Sequence, residues 1–271
     1  MATITAADVN KLRKQTGAGM MDCKKALQEA EGDFEAAVDI LRKKGQKIAA
    51  KRADRDATEG CVLADSKDGI GIVLSLNCET DFVAKNDSFV NLTRSILDLA
   101  IANGIKSKDA LLAANLDGMT VEEKLTEQTG VIGEKLEIGA FEAIEAPAVS
   151  TYIHAGNKLA TVVGLNEEAG EAGVNVAMQA AAMNPIALNR DAVSQEVVDR
   201  ELEVGRDQAR QEGKPEAMLD KIAQGRLNKF YKENTLLEQE YIRDNKMTIA
   251  KYLDSEKKGL TVTDFKRVSL G

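Results

Sequence analysis

At 271 residues, with 44% hydrophobic and 30% charged residues and no Trp, the chain is expected to be globular, with material for more than one core. No stretch approaches the roughly 18 uninterrupted apolar residues of a membrane span, and residues 1–12 lack the basic start and apolar middle of a secretory signal, so a cytoplasmic location is expected. The net charge of -8 is uneven: residues 1–55 hold 12 Lys/Arg against 8 Asp/Glu, and the acidic remainder argues against a dedicated nucleic-acid binder.

Three short helices open the chain. Thr5 with Asp8 patterns an N-cap before Val9 and Leu12; Met20, Cys23, Leu27 and Ala30 share one helical face; Phe34, Ala37, Val38 and Leu41 recur at helical spacing behind Asp33 as N-cap. Breaks at Thr16-Gly17-Ala18-Gly19 and Glu31-Gly32 complete a module that ends near Gly45, read as a C-cap, with a basic linker to Arg55. Arg42, Lys43, Lys44, Lys47, Lys51, Arg52 and Arg55 form the one cationic cluster. Cations at a helix C-terminus explain it in part, and a ribosome- or RNA-binding surface is the alternative.

The middle of the chain reads as a duplicated unit. Residues 59–65 and 70–77 pattern a hairpin followed by a helix over 88–103; residues 150–154 and 159–166 pattern another, followed by an Ala-rich helix over 171–184. A helix around 120–129 and an alternating segment over 135–145 lie between them. Then come helices over 194–211 and 215–234, broken at Gly213-Lys214-Pro215, a helix over 245–254 and a terminal strand over 260–270. The expected class is α+β: an N-terminal three-helix module, a core of two β-β-α-type subdomains and an inserted antiparallel helical hairpin. The segments are 1–55, 56–146, 147–193 with 235–271, and 194–234. Val197, Val198, Leu202, Met218, Leu219, Leu227, Phe230 and Tyr231 exceed what one hairpin seam takes, which suggests a homodimer through that hairpin or an additional partner contact on it.

Aligning the two halves leaves the first longer by eight residues between strand and helix, over Thr80-Asp81-Phe82-Val83-Ala84-Lys85-Asn86. A loop added to one copy points to function, and an aromatic at its tip in a chain with 4% aromatic residues points to insertion into a partner. Packing of Phe82 and Val83 on the domain's own core is the competing reading.

Catalytic chemistry has little to stand on. There is no G-x-x-x-x-G-K-[ST] and no strand-linked G-x-G-x-x-G, and Gly17-Ala18-Gly19 reads as a helix break. Cys23, Cys61 and Cys78 fit neither a disulfide framework nor a zinc pattern, and one histidine, His154, makes a transition-metal site improbable; no cofactor and no metal are expected. A hydrolase pairing Cys78 or Cys61 with His154 is the remaining enzyme reading, and neither Cys has a recognisable nucleophile context.

Two segments carry a resemblance. Val9-Asn10-Lys11-Leu12-Arg13 running into Thr16-Gly17-Ala18-Gly19-Met20-Met21-Asp22-Cys23-Lys24-Lys25-Ala26-Leu27, and Asn77-Cys78-Glu79-Thr80-Asp81-Phe82-Val83-Ala84-Lys85-Asn86, closely resemble the elongation factor Ts family in order and spacing. His154-Ala155-Gly156 and Leu236-Leu237-Glu238-Gln239 extend the resemblance over nearly the whole chain. It implies a guanine-nucleotide exchange factor for elongation factor Tu, not an enzyme. The N-terminal module would have a ubiquitin-associated-like fold and dock on the partner's nucleotide-binding domain, with Leu12, Arg13, Met20 and Met21 as contacts. Thr80, Asp81, Phe82 and Val83 would displace the partner's magnesium, and His154 would contact a different partner domain. Departures are His-Ala-Gly for the commoner His-Gly, Gln179 where a second His is frequent, and Gln239-Glu240-Tyr241-Ile242 without a Pro-Phe pairing.

Overall fold

The computed structural model describes residues 4–270, which fall into two compact units. The first comprises residues 4–63, 74–142 and 269–270, the second residues 64–73 and 143–268.

The first unit begins with α1 (Ala6–Thr16), α2 (Met20–Glu29) and α3 (Phe34–Arg52). A capping box starts α1: Asp8 N donates to Thr5 Oγ1 at 3.2 Å and Thr5 N to the Asp8 carboxylate at 3.0 Å. Left-handed Gly17 ends it. Asp33 caps α3 by accepting from Ala36 N at 3.0 Å. Leu12, Cys23, Ala26, Leu27 and Ala37 are buried together as the module's core.

Strands β1 (Glu59–Lys67) and β2 (Ile70–Cys78) form a hairpin across Asp68-Gly69, both at positive φ as a two-residue turn requires. Next come the one-turn helix α4 (Asp81–Ala84), α5 (Asp87–Ala102), α6 (Lys108–Ala113), the minimal hairpin β3 (Asn115–Leu116) with β4 (Met119–Thr120), α7 (Val121–Ile132) and β5 (Glu137–Glu145). Strand order is β1-β2-β5. Apolar positions recurring at helical spacing bury Phe89, Thr93, Ile96, Leu97 and Ala100 along one side of α5.

Gly45 does not end a helix. α3 continues to Arg52 through the expected linker, and Gly45 is buried in mid-helix where α3 packs on α7. The glycine serves a close helix approach there, not a left-handed cap.

The second unit contains β6 (Ala148–Ile153), β7 (Leu159–Leu165), α8 (Glu171–Met183), α9 (Gln195–Gln211), α10 (Leu219–Asn234), β8 (Glu240–Tyr241), β9 (Asp244–Thr248), α11 (Ile249–Glu256) and β10 (Val262–Ser269). Its sheet runs β10-β7-β6, with β6 and β7 antiparallel from Ala148↔Leu165 to Ile153↔Ala160. Each half is therefore a β-β-α unit completed by a later strand that pairs with the second strand of its hairpin. The α+β class holds, with that third strand added to each half. Val163, Leu165, Val176, Ala177, Ala180, Leu236, Tyr252 and Leu253 belong to its core, and Tyr241 stacks on Tyr252 with centroids 4.2 Å apart.

Two expectations change here. Residues 245–248 pair as β9 rather than opening a helix, because Thr248 caps α11 by accepting from Lys251 N at 3.3 Å and so fixes its start. The hairpin α9–α10 also covers its own apolar residues. Gly205 lies so near Ala223 that a Cβ on it would come 3.1 Å from the Ala223 Cα, and Ala209, Leu219 and Leu227 are buried. Val197, Val198, Leu202 and Phe230 pack with Ala187, Val193, Leu227 and Tyr231 at the base. The surplus that suggested a homodimer reduces to Val204 and Met218, the exposed large hydrophobics of this hairpin among the described residues.

Candidate functional site

The segment after β2 is a short helix rather than an open loop. Thr80 is the N-cap of α4, Asp81 begins it, and Lys85 closes it, its amide donating to Asp81 O at 3.1 Å. Asn86 then accepts from Ser88 N at 2.9 Å and, as N-cap, starts α5 directly after α4. Eight residues, 79–86, separate β2 from α5, against five, 166–170, between β7 and α8; α5 is also longer, 16 residues to 13. The extra length of the first copy is thus shared between the turn and the helix after it.

Phe82 is 85% exposed on this one-turn helix. For Phe82 this excludes the competing reading, packing on the domain's own core. A Phe side chain left in water forgoes roughly 1.5–3 kcal/mol of burial, so its place here is a local cost with no return inside the unit. Asp81 pairs with Lys85 at 2.6 Å, Val83 is half-buried and Ala84 is buried against the unit.

Beneath the helix lies a polar clamp that the sequence reading missed. The Glu134 carboxylate accepts from Glu79 N at 3.1 Å, from Thr80 N at 3.0 Å and from Thr80 Oγ1 at 2.6 Å. In return Lys135 N donates to the Glu79 carboxylate at 2.7 Å, and Arg52 Nη1 donates to both Glu79 oxygens at 2.7 and 2.8 Å. The Lys135 amide first, and then the Arg52 guanidinium, hold the Glu79 carboxyl below its usual range. No local pattern joins positions 55 residues apart; the one available signal was Gly133, whose left-handed C-cap of α7 turns the chain toward the site.

The docking residues divide. Met20 and Met21, 52% and 61% exposed, project from the first turn of α2, and Arg13 is exposed in the last turn of α1. Met20 is therefore a surface residue and not part of the buried face. Leu12 is fully buried, so it supports this surface from within and offers no contact of its own. His154, in the second unit, is exposed at the β6–β7 turn, its Nδ1 2.9 Å from the Tyr152 hydroxyl. Gln179 is fully buried: its Nε2 donates to Gln239 Oε1 and Glu240 O, and its Oε1 accepts from Ile242 N at 3.0 Å. It ties α8 to the β8 segment and is no surface counterpart of His154.

Neither alternative reading gains. Cys61 and Cys78 are fully buried; desolvation first, then the nearby Glu134 carboxylate, push the Cys78 thiol up to about 12, and burial also raises Cys61, so neither is an available nucleophile. Within the cationic cluster, Arg52 and Arg55 face Glu79, and Lys44 pairs with Asp22.

The Elongation factor TS family model matches residues 79–271, more than half of the chain. The chain belongs to the elongation factor Ts family. It is 58% identical to Elongation factor Ts of Christiangramia forsetii over 276 aligned positions covering all of both chains. It is 53% identical to that of Flavobacterium psychrophilum, again over all of both, and 45% identical to that of Kineococcus radiotolerans at the same coverage. Membership of the elongation factor Ts family carries a role in translation elongation. No helix among the described residues is long and apolar enough to cross a membrane.

Proposed function

We propose that this chain is a guanine-nucleotide exchange factor that binds elongation factor Tu carrying GDP, displaces its magnesium and promotes GDP release. The observation that carries the reading is Phe82, 85% exposed on a helix held by the Glu134 clamp, within the segment that resembles the family's magnesium-displacing loop. A rigid aromatic tip that forgoes burial in its own unit gains it by entering a partner.

Magnitudes decide how the work is divided. Accelerating release a thousandfold requires about 4 kcal/mol of differential stabilisation of the open partner. Burying one Phe supplies roughly 1.5–3 kcal/mol before ordering costs. The wedge therefore needs docking energy from elsewhere. Arg13, Met20 and Met21 offer it on the N-terminal module, and His154 on the second unit. Asp81 next to Phe82 brings a carboxylate to the metal's surroundings, where it repels phosphate and competes for coordination.

Stopped-flow release of labelled GDP from elongation factor Tu, with and without the chain, tests this reading. Saturating acceleration is the expected result, and release unchanged at micromolar chain would overturn it. Linkage adds a second check: a factor that weakens nucleotide binding is weakened by nucleotide to the same extent, so added Mg-GDP should dissociate the complex.

A further inference from the structure

A four-residue helix has no stability of its own. Within α4 and its caps the backbone bonds include Ala84 N to Thr80 O at 3.2 Å, Lys85 N to Asp81 O at 3.1 Å and Asn86 N to Val83 O at 3.0 Å, beside an exposed Asp81–Lys85 ion pair. An N-cap threonine ordinarily turns its hydroxyl onto the amides of its own helix. Thr80 does not: its side chain makes no such cap and donates instead to Glu134 Oε1. The direction in which Phe82 points is therefore set by groups outside α4.

Those groups have a defined reach. Glu134 follows the Gly133 cap of α7, and its two oxygens take three donors from Glu79 and Thr80. Arg52 is the last residue of α3, whose first half packs in the core of the N-terminal module. We propose that Glu134 and the Arg52–Glu79 pair are positioning residues for Phe82, fixing α4 to α7 and α3 so that docking of the N-terminal helices delivers the aromatic already aimed. The proposal rests on the exchange reading for its consequence and on the clamp geometry for its mechanism.

Glu134→Gln is the sharpest variant, because it keeps the shape but leaves one accepting oxygen for three donors. Labelled GDP release from elongation factor Tu is measured against the concentration of each variant. The maximal rate should fall about tenfold while the half-saturating concentration moves less than about threefold, since orientation and not docking is lost. Thr80→Val should reproduce the same split, a lower maximal rate with little change in the half-saturating concentration, and Thr80→Ser, which keeps the donating hydroxyl, should fall less; a merely structural defect would lower docking as well. In a Phe82→Ala background, Glu134→Gln should cost less than about twofold more, because it acts through the ring. An unchanged maximal rate in Glu134→Gln, or its full penalty persisting without Phe82, overturns the proposal.

Amide hydrogen exchange on the free chain reads the clamp without any partner. In Glu134→Gln the Glu79 and Thr80 amides should exchange about tenfold faster while α1–α3 stay protected; unchanged exchange overturns the clamp even if the wild-type chain proves active. If the wild-type chain fails to accelerate release, the exchange reading falls, and this measurement still decides the geometry. Should Glu134→Gln not fold, Thr80→Val carries the same measurements.

Discussion

Gly45 and Gly130 meet where α3 crosses α7, so closely that a Cβ on Gly130 would come 2.4 Å from the Gly45 Cα. The relation is not symmetric: a Cβ on Gly45 would come no nearer than 3.4 Å, to Thr126 O. In a helix interior Ala is favoured over Gly by roughly 1 kcal/mol, so the two substitutions oppose propensity to contact differently. Gly130→Ala meets backbone, which has no rotamer to yield, and should destabilise by about 1–3 kcal/mol. Gly45→Ala should be neutral or slightly stabilising. Urea denaturation of both variants checks the asymmetry, and equal losses would refute it.

Phe82→Ala separates wedge from fold. The side chain is exposed, so stability should change by less than about 0.5 kcal/mol. Catalysed GDP release should slow about tenfold or more, with weaker change in affinity for nucleotide-free elongation factor Tu. A variant with normal release rates would remove Phe82 from the mechanism.

Sequence reading reached what is local. Caps at Thr5 and Asp33, the face of α5 and the hairpin of the strands read over 59–65 and 70–77 each follow from spacing within a short stretch of chain. The exposed tip at Phe82 was also legible, because duplication supplied an internal comparison. Gly45 was misread because a glycine after basic residues matches both a C-cap and a helix contact, and only the position of Gly130 distinguishes them. Leu12 was misplaced for a related reason: a motif marks residues that matter without saying which face the surface and which support it. The Glu134–Thr80 contact and the Arg52–Glu79 pair lie across 54 and 27 residues, beyond any periodicity. β3, β4 and β8 are two residues each, too short to leave a pattern.

The buried thiols give a pH dependence with a definite sign. Burial raises Cys78 from 9.0 to about 12, and raises Cys61 and, at a higher starting value, Tyr241. The folded chain therefore holds protons that the unfolded chain releases first. This contribution to stability is complete below about pH 9 and declines as pH rises toward 12. Urea midpoints should fall between pH 8 and 10.5, and less steeply in Cys78→Ala than in the wild type. A thiol-reactive disulfide reagent should leave the native chain unmodified at pH 8 and count three thiols after unfolding. Rapid native modification of Cys78 would contradict the burial argument.

The helical hairpin should be separable from exchange and should not dimerise. Its tip is tied by ion pairs within the hairpin: Arg206 to Asp220 at 2.7 Å, Arg210 to Glu216 at 2.9 Å and Arg226 to Glu212 at 2.7 Å. Its seam closes on Gly205, Ala209, Leu219, Ala223 and Leu227. Val204 and Met218 together expose far less than the roughly 1,200 Å² that a stable interface buries. Sedimentation at micromolar concentration should therefore give a monomer. Replacing residues 204–227 with a short linker should leave most of the base in place, since Val193, Val197, Val198, Phe230 and Tyr231 lie outside the deletion. It removes Leu227 from that base, which should cost about 2–5 kcal/mol locally. Leu236 and Tyr252 belong to a separate core cluster, so the sheet core of the second unit should persist. GDP-release activity should then stay within about threefold of the full chain, because α4 and the N-terminal docking residues belong to the first unit. A folded deletion variant that lost all exchange activity would place the hairpin in the mechanism, and a concentration-dependent dimer abolished by the deletion would show an interface that its buried seam does not supply.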